Sequence, residues 1–211
     1  MTENIRVFTQ NSIRINGNGK TIYIDTFKMT EKPNDADYIL ITHDHFDHFS
    51  PEDIAKVSKS DTVLVVPANM ADKAEQVADI VGKIVTVKPS SSYNIDGLEI
   101  ETIPAYNRLK PFHPKGAGWV GYILNVDGKR IYVAGDTDAT KEAGKVQCDI
   151  ALIPIGGTYT MDAKQAAELI NTIKPEVVIP THYGSVVGKT DDADVFARLV
   201  KEPVKVEISI I

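Results

Sequence analysis

Between His43 and His48 the sequence reads "HDHFDH", which places three of the chain's five histidines and two aspartates in one short stretch behind the apolar run "YILI". In an extended strand, residues two apart point to the same side, so His43 and His45 can present both imidazoles to one cation. The chain must turn next, and the turn lets Asp47 and His48 face a second position nearby. Zinc takes imidazole nitrogen and carboxylate oxygen, usually with about four ligands. Helix capping accounts for one of the aspartates at most and leaves the clustered histidines unexplained. One turn supplies only part of each coordination shell. The fold must therefore bring other strand ends to this one.

Candidates for those partners stand at matching places. Asp136 follows the apolar strand of "IYVAGDTD", and a carboxylate between two cations can bridge them. His182 follows the strand of "VVIPTHYG" in the same way. The remaining histidine, His113 in "NRLKPFHPKGAG", is the natural third imidazole for the first cation, on a loop flanked by Pro111 and Pro114.

The strands are short and turn signals frequent. "SIRIN", "GNG" and "KTIYIDTF" read as a hairpin. "DYILIT", "TVLVVP", "KIVTV" and "LEIETIPA" read as strands, and "GWVGYILNVDGKRIYVAGD" as a hairpin turning at Asp127-Gly128. "CDIALIPIGG", "EVVIPTHYG" and "VKVEIS" supply further strands. "SPEDIAKVSK" is a helix with Ser50 as N-cap, Pro51 in the first turn and Asp53 well placed beside it. "NMADKAEQVADIVG" is expected as an amphipathic helix burying Ala71, Ala74, Val77, Ala78 and Val81 and closed by Gly82. "MDAKQAAELINTIKP" is a helix with Asp162 and Gln165 as a capping box, and "TDDADVFARLVK" a helix capped by Thr190. Hairpins dominate first and strand–helix alternation follows. Helices are too few to cover a wholly parallel sheet, so an α/β sandwich of two sheets with helices outside is expected, as one domain spanning 1–211.

Composition removes several classes. A net charge of −6 argues against a broad basic surface for nucleic acid. No apolar run approaches the ~20 residues of a membrane helix. The N-terminal "MTENIRVFTQN" lacks the apolar core of a signal peptide, so a cytoplasmic protein is expected. Cys148, alone in the chain, reads as a small buried filler ahead of a strand. The expected partner is a small-molecule substrate; homo-oligomerisation stays open.

The ordered set His43, His45, Asp47, His48, Asp136 and His182 resembles the metallo-β-lactamase superfamily, whose signature is His-x-His-x-Asp-His. The resemblance implies a four-layer αββα sandwich with the metals at one edge between the sheets. It also implies that Asp25, in "YIDTF", supports the ligands from behind. Within the superfamily, "IDTF", "GDTD" and "HYG" look most like the ascorbate-phosphate lactonase group of metal-dependent hydrolases. One departure stands out. Many relatives carry the middle histidine directly after a strand, where this chain has Asn107 in "IPAYN". Either His113 swings back to fill that coordination position, or Asn107 or water does and His113 contacts substrate.

Two cations sharing a water lower its pKa toward neutrality, and the resulting hydroxide attacks a carbonyl or phosphorus centre. Asp47 is the expected catalytic residue, carrying the proton to the leaving group. Zinc fits the donors best; manganese and iron also accept them. Arg108, Lys110 and Lys115 gather near His113, which suggests an anionic substrate, phosphorylated or carboxylated: a lactone, ester or phosphodiester. Thr158, Tyr159 and Tyr183 are further candidate substrate contacts. The rival reading is a metal-loaded sensor or binding protein of the same fold without turnover.

Overall fold

Residues 2–208 are described by a computed structural model. Three tight hairpins build much of it, and each turns on an Asx-Gly pair. Asn18-Gly19, Asp96-Gly97 and Asp127-Gly128 all have positive φ at both positions, the backbone that matches the right-handed twist of the flanking strands. Asn18-Gly19 joins β2 (Ile13–Gly17) to β3 (Lys20–Ile24), and Asp127-Gly128 joins β9 (Val120–Val126) to β10 (Lys129–Val133). Asp96-Gly97 joins β7 (Ser92–Ile95) to β8 (Leu98–Pro104).

The first sheet runs in chain order. β1 (Ile5–Val7), β2 and β3 are antiparallel, and β4 (Tyr38–Leu40), β5 (Val63–Pro67) and β6 (Lys83–Val87) then add in parallel. The second sheet has the order β13-β12-β11-β10-β9-β8-β7, with β11 (Ile150–Pro154), β12 (Val177–Thr181) and β13 (Lys205–Val206) parallel to β10. Alternation decides the layers. Ile13, Ile15, Ile22, Ile24 and Leu40 meet Ile100, Tyr122, Leu124, Val133 and Leu152 in the core between the sheets. The opposite face of the first sheet, with Ile39, Ile41, Leu64 and Val66, is covered by Ile54 and Val57 of α1 (Pro51–Val57) and by Ala74 of α2 (Ala71–Ala74). The outer face of the second sheet, with Ala151, Ile153 and Val178, packs on Ala166 and Ile170 of α3 (Ala163–Ile173) and Phe196 of α4 (Asp192–Leu199). These are the four layers of the expected αββα sandwich. No helix among the described residues is long and apolar enough to cross a membrane.

Several expectations change. Strands β1 and β7 were not foreseen; each is short and gains its place by pairing at a sheet edge. The segment 69–82 is not one helix. It splits into the turns Ala68–Met70 and Glu75–Val77 around the short α2, with no side chain capping either α2 or those turns. Its buried stripe is Met70, Ala74, Val77 and Val81, while Ala71 and Ala78 face solvent. The stripe thus starts one residue earlier than the alanine pattern suggests, because Met70 has far more apolar surface to hide. Thr190 does not cap α4; Asp191 holds the cap position in helical backbone geometry, without a side-chain bond. The last strand is confined to Lys205–Val206, and residue 209 of the expected "VKVEIS" lies outside the described residues. Cys148 is half-buried against the outer core of the second sheet, and burial pushes its thiol up to about 12.

The helix start at Ser50 is as expected, with the Ser50 hydroxyl accepting from the Asp53 backbone N–H. Asp53 does more than favour the helix terminus. It is buried, and its carboxylate accepts the backbone N–H groups of Lys28 at 2.8 Å and Met29 at 3.0 Å. The Lys56 ammonium donates to it at 2.9 Å. Asp53 therefore ties α1 to the loop that follows β3. Asp53→Ala leaves both backbone donors unmatched and should lower the stability of the metal-free protein by about 2–4 kcal/mol. Urea unfolding checks this: a midpoint within error of the parent's would remove Asp53 from the set of anchors.

Candidate metal centre

Both sheets release their parallel strands toward one edge, and the candidate residues sit where those strands stop. His43 lies just past β4, Asp136 just past β10 and His182 directly after β12, while His113 lies on the loop between β8 and β9. The sheets are stitched together at this edge. The Tyr122 hydroxyl of β9 donates to the Ile41 carbonyl at 2.7 Å, and the Val120 N–H donates to the Thr42 carbonyl at 3.1 Å.

The side chains converge as the sequence suggests. One ligand atom from each of His43, His45 and His113 can be chosen so that all lie within 4.8 Å of one another. The same holds for Asp47, His48 and His182, and for His43, His48 and Asp136. Asp136 spans the two groups. Its Oδ1 lies 3.3 Å from His48 Nε2 and 3.2 Å from His182 Nε2, and its Oδ2 lies 3.4 Å from His113 Nε2. His182 Nε2 is 3.4 Å from Asp47 Oδ2.

Hydrogen bonds behind the rings decide which nitrogens face inward. The His48 Nδ1–H donates to Asp25 Oδ2 at 2.7 Å. The Thr42 hydroxyl donates to Asp25 Oδ2 at 2.6 Å and so is left to accept from the His43 Nδ1–H at 3.0 Å. The His113 Nδ1–H donates to Asn107 Oδ1 at 3.0 Å. His43 and His113, each with a single ring proton, hold it outward, so their Nε2 lone pairs point into the cluster. As a result His43 Nε2 and His113 Nε2 face each other at 3.3 Å, two acceptors with no proton between them. His48 Nε2 and His182 Nε2 are also 3.3 Å apart. Donors on a tetrahedral zinc with bonds of about 2.0–2.1 Å lie roughly 3.3–3.4 Å from one another. Among the described residues the buried Asp136 Oδ1 has no hydrogen-bond donor, another sign of a site shaped for a cation.

Electrostatics agree. Burial, followed by the neighbouring imidazoles, holds His43 well below its ordinary value. Burial likewise lowers His113 to about 4 despite Asp136 nearby. Both rings stay neutral and able to ligate. Burial opposes charge on His48 too, but Asp136, Asp25 and Asp47 together outweigh it and raise the ring to about 9. Burial also works against the Asp47 carboxylate, yet the His182 hydrogen bond and the charge of His48 hold it well below the usual range. The cluster is a negative pit that favours positive charge at its centre.

Asp25 sits behind the cluster, bonded to the His48 ring, and Asn107 falls behind it as well. The Asn107 amide nitrogen donates to the Tyr159 carbonyl at 2.8 Å and to Asp138 Oδ1 at 3.1 Å, while its oxygen takes the His113 ring proton. Both ends of the Asn107 amide are thus engaged behind the His113 ring, and it is His113 that reaches the cluster. The expected basic wall is not there. The Lys110 ammonium is bound by Asp138 Oδ1 at 3.2 Å, by the Gly157 carbonyl at 2.9 Å and by the Thr160 carbonyl. The Lys115 ammonium pairs with Glu142 at 2.8 Å. Arg108 lies in an outer groove beside Gln165 and Glu168. Acidic and carbonyl groups on the neighbouring loops hold both lysines away from the centre. Tyr183 packs in the outer core with Ala193 and Phe196, where burial raises its phenol, and Thr158 is exposed on the turn. Tyr159 alone of those three lines the cleft over the centre.

One residue escaped the sequence reading. Gln10 is fully buried, with its amide nitrogen 3.4 Å from Asp47 Oδ2 and from both ring nitrogens of His182. The Gln10 backbone carbonyl accepts the His182 backbone N–H at 2.8 Å. Gln10, Asp25 and His182 all adopt positive φ, at 51°, 49° and 58°, a conformation that costs free energy in residues other than glycine. The signal was a glutamine between two short apolar strands, which nothing local distinguishes from a polar turn. Gly156 is needed for a related reason: a Cβ there would stand 2.2 Å from the His182 carbonyl oxygen.

Known proteins share this arrangement of chain and fold. The β-lactamase superfamily domain profile matches residues 4–182. A UPF0173 metal-dependent hydrolase of Pyrococcus abyssi is 33% identical over 204 residues, covering 90% of this chain and 88% of its own. Its counterpart in Pyrococcus furiosus is 34% identical over 205 residues with the same coverage. The crystal structure of an inferred metal-dependent hydrolase from Parabacteroides distasonis superposes with a TM-score of 0.81 at 30% identity, covering 97% of this chain and 91% of that one. Sequence, layer order and strand-end cluster agree: the chain belongs to the β-lactamase superfamily, among the UPF0173 metal-dependent hydrolases.

Proposed function

We propose that this chain hydrolyses a small ester, lactone or phosphodiester with two divalent cations. His43, His45 and His113 would hold one, Asp47, His48 and His182 the other, and Asp136 would lie between. The reading is carried by the inward lone pairs: His43 Nε2 and His113 Nε2 face at 3.3 Å with their protons committed elsewhere. Zinc suits so nitrogen-rich a donor set, and manganese or iron would also be accepted. When bound, such cations make water acidic near neutral pH and stabilise the negative oxygen that develops on the substrate.

The chain's own groups supply the rest. Asp47, kept ionised by its neighbours, accepts a proton from the attacking water and returns it to the leaving oxygen as the acyl–oxygen or phosphorus–oxygen bond breaks. The Gln10 amide, 3.4 Å from Asp47 Oδ2, restrains that carboxylate. Asn107 and Asp25 keep the ligating rings oriented. No covalent enzyme intermediate is needed.

Metal titration of the chelator-treated chain should saturate at two equivalents. The single tryptophan, Trp119, reports binding, because its ring lies 5.1 Å from the rings of His43 and His45. His113→Ala should retain one equivalent. Asn107→Ala should still bind two, but about 10–100-fold more weakly at one of them. Saturation of the parent at one equivalent would reject the paired site, and parent-like affinity in Asn107→Ala would reject its positioning role.

A screen of lactones, phosphodiesters and phosphorylated sugar lactones tests turnover. Asp47→Asn should lower kcat on the best substrate by at least about 10²-fold, with metal content measured alongside. Full kcat in a variant that still carries two metals would take Asp47 out of the proton path.

A further inference from the structure

Above the candidate centre lies an open cleft of about 340 Å³ whose floor is His45, Asp47 and Asp136. Its walls are Phe46, Phe112, Tyr159 and Val186. Three of these are unusually exposed for their type: Phe46 at 66%, Phe112 at 40% and Val186 at 39%. Soluble proteins rarely gather exposed apolar side chains in one place without a use for them. Here they come from separate loops, and those loops also carry the candidate ligands. Phe46 stands between His45 and Asp47, Phe112 directly precedes His113, and Val186 follows His182 closely. The wall is therefore fixed in position relative to the reacting centre.

The rings are also braced. Phe46 is held edge-on by Phe27, with centroids 5.8 Å apart, and Phe112 edge-on by Tyr159 at 4.6 Å. Among the described residues no lysine or arginine lines the cleft. Lys110 and Lys115 are neutralised by partners on other loops. Lys28 does not line it either; its ammonium lies over Phe27 at 5.2 Å and is bonded to Ser185 at 3.4 Å.

We infer that the cleft receives an uncharged, apolar group of about phenyl size, attached to the bond that is cleaved. This assigns a substrate class, a neutral ester or lactone bearing an aryl or branched-alkyl group, and it rests on the hydrolase reading above. It replaces the anionic substrate that the basic residues near His113 suggest in sequence. Burial of the group against Phe46 and Phe112 excludes water from one side of the centre and supplies binding free energy without a charge partner. The hydrolysis balances simply: water adds to the carbonyl, the acyl–oxygen bond breaks, and the alcohol leaves with a proton.

Methyl esters of phenylacetic acid, acetic acid and succinic acid (as the half-ester) share a leaving group and differ in what enters the cleft. On the metal-loaded protein, followed by proton release, kcat/KM for the phenylacetate should exceed the other two by at least about ten-fold. That ratio should collapse toward one in Phe46→Ala and in Phe112→Ala. It should persist in Leu109→Ala, whose side chain is 98% exposed and does not line the cleft. Preference for the succinate half-ester, or a ratio that ignores both phenylalanines, overturns the inference. Binding is read separately by NMR, using phenylacetamide, acetamide and succinamate as probes on the same protein. Selective shifts from phenylacetamide at Phe46, Phe112 and Val186 support the apolar site even if none of the esters turns over, a result that would count against the hydrolase reading alone. Equal or absent shifts with all three probes overturn it.

Discussion

The Asp25 carboxylate is the interaction on which the centre rests. It is fully buried and accepts from Asn11 Nδ2, the Thr42 N–H, the Thr42 hydroxyl and the His48 ring. A buried charge is tolerable only when hydrogen-bonded this fully. Through these bonds Asp25 sets the proton on His48 directly and on His43 by way of Thr42. It thereby decides which nitrogens are free to face the cluster. It also ties the end of β3 to the end of β4, so the two loops cannot separate without exposing that charge.

The sandwich makes such a hub affordable. Apolar side chains from both sheets fill the space between them, and a packed interior resists small displacements. Against that rigid support, Gln10, Asp25 and His182 are held at positive φ around one point. Strain of this kind persists only where the surroundings over-determine the backbone. The glycine at 156 serves the same end by letting a second loop close over the His182 carbonyl.

Polar and apolar functions are divided between neighbouring residues of the same loops. In "HDHFDH" the histidines and Asp47 turn inward, while Phe46 turns outward beside Phe27. On the next loop His113 is buried and Phe112 exposed. The result is a negative, hydrogen-bonded floor under an apolar mouth. Two lysines of the His113 loop serve neither; they hold the loop down, Lys115 through Glu142 and Lys110 through Asp138 and the turn at Gly157.

Much of this was readable from residues alone. Hairpins at Asn18-Gly19 and Asp127-Gly128, the Ser50 and Asp162 caps, and strand ends bearing His43, Asp136 and His182 all follow from local chemistry that depends on a few neighbours. The candidate set that gathers at one edge was also legible, because three histidines in one short turn call for partners and Asp136 and His182 stand at matching strand ends. What local chemistry leaves undecided is anything set by residues distant in sequence. Gln10 meets His182 across the whole chain, and Asn107 meets His113 and Tyr159 only once two loops are in place. The lysines near His113 look like a substrate cradle until Asp138 and Glu142 arrive to bind them. The segment at 69–82 has helical composition, but burial of Met70 decides which face turns inward. Sequence determined the residue types and the strand ends that carry them. Tertiary structure decided which groups satisfy one another, because hydrogen bonds and ion pairs act over a few ångströms and only the finished fold brings those partners within reach.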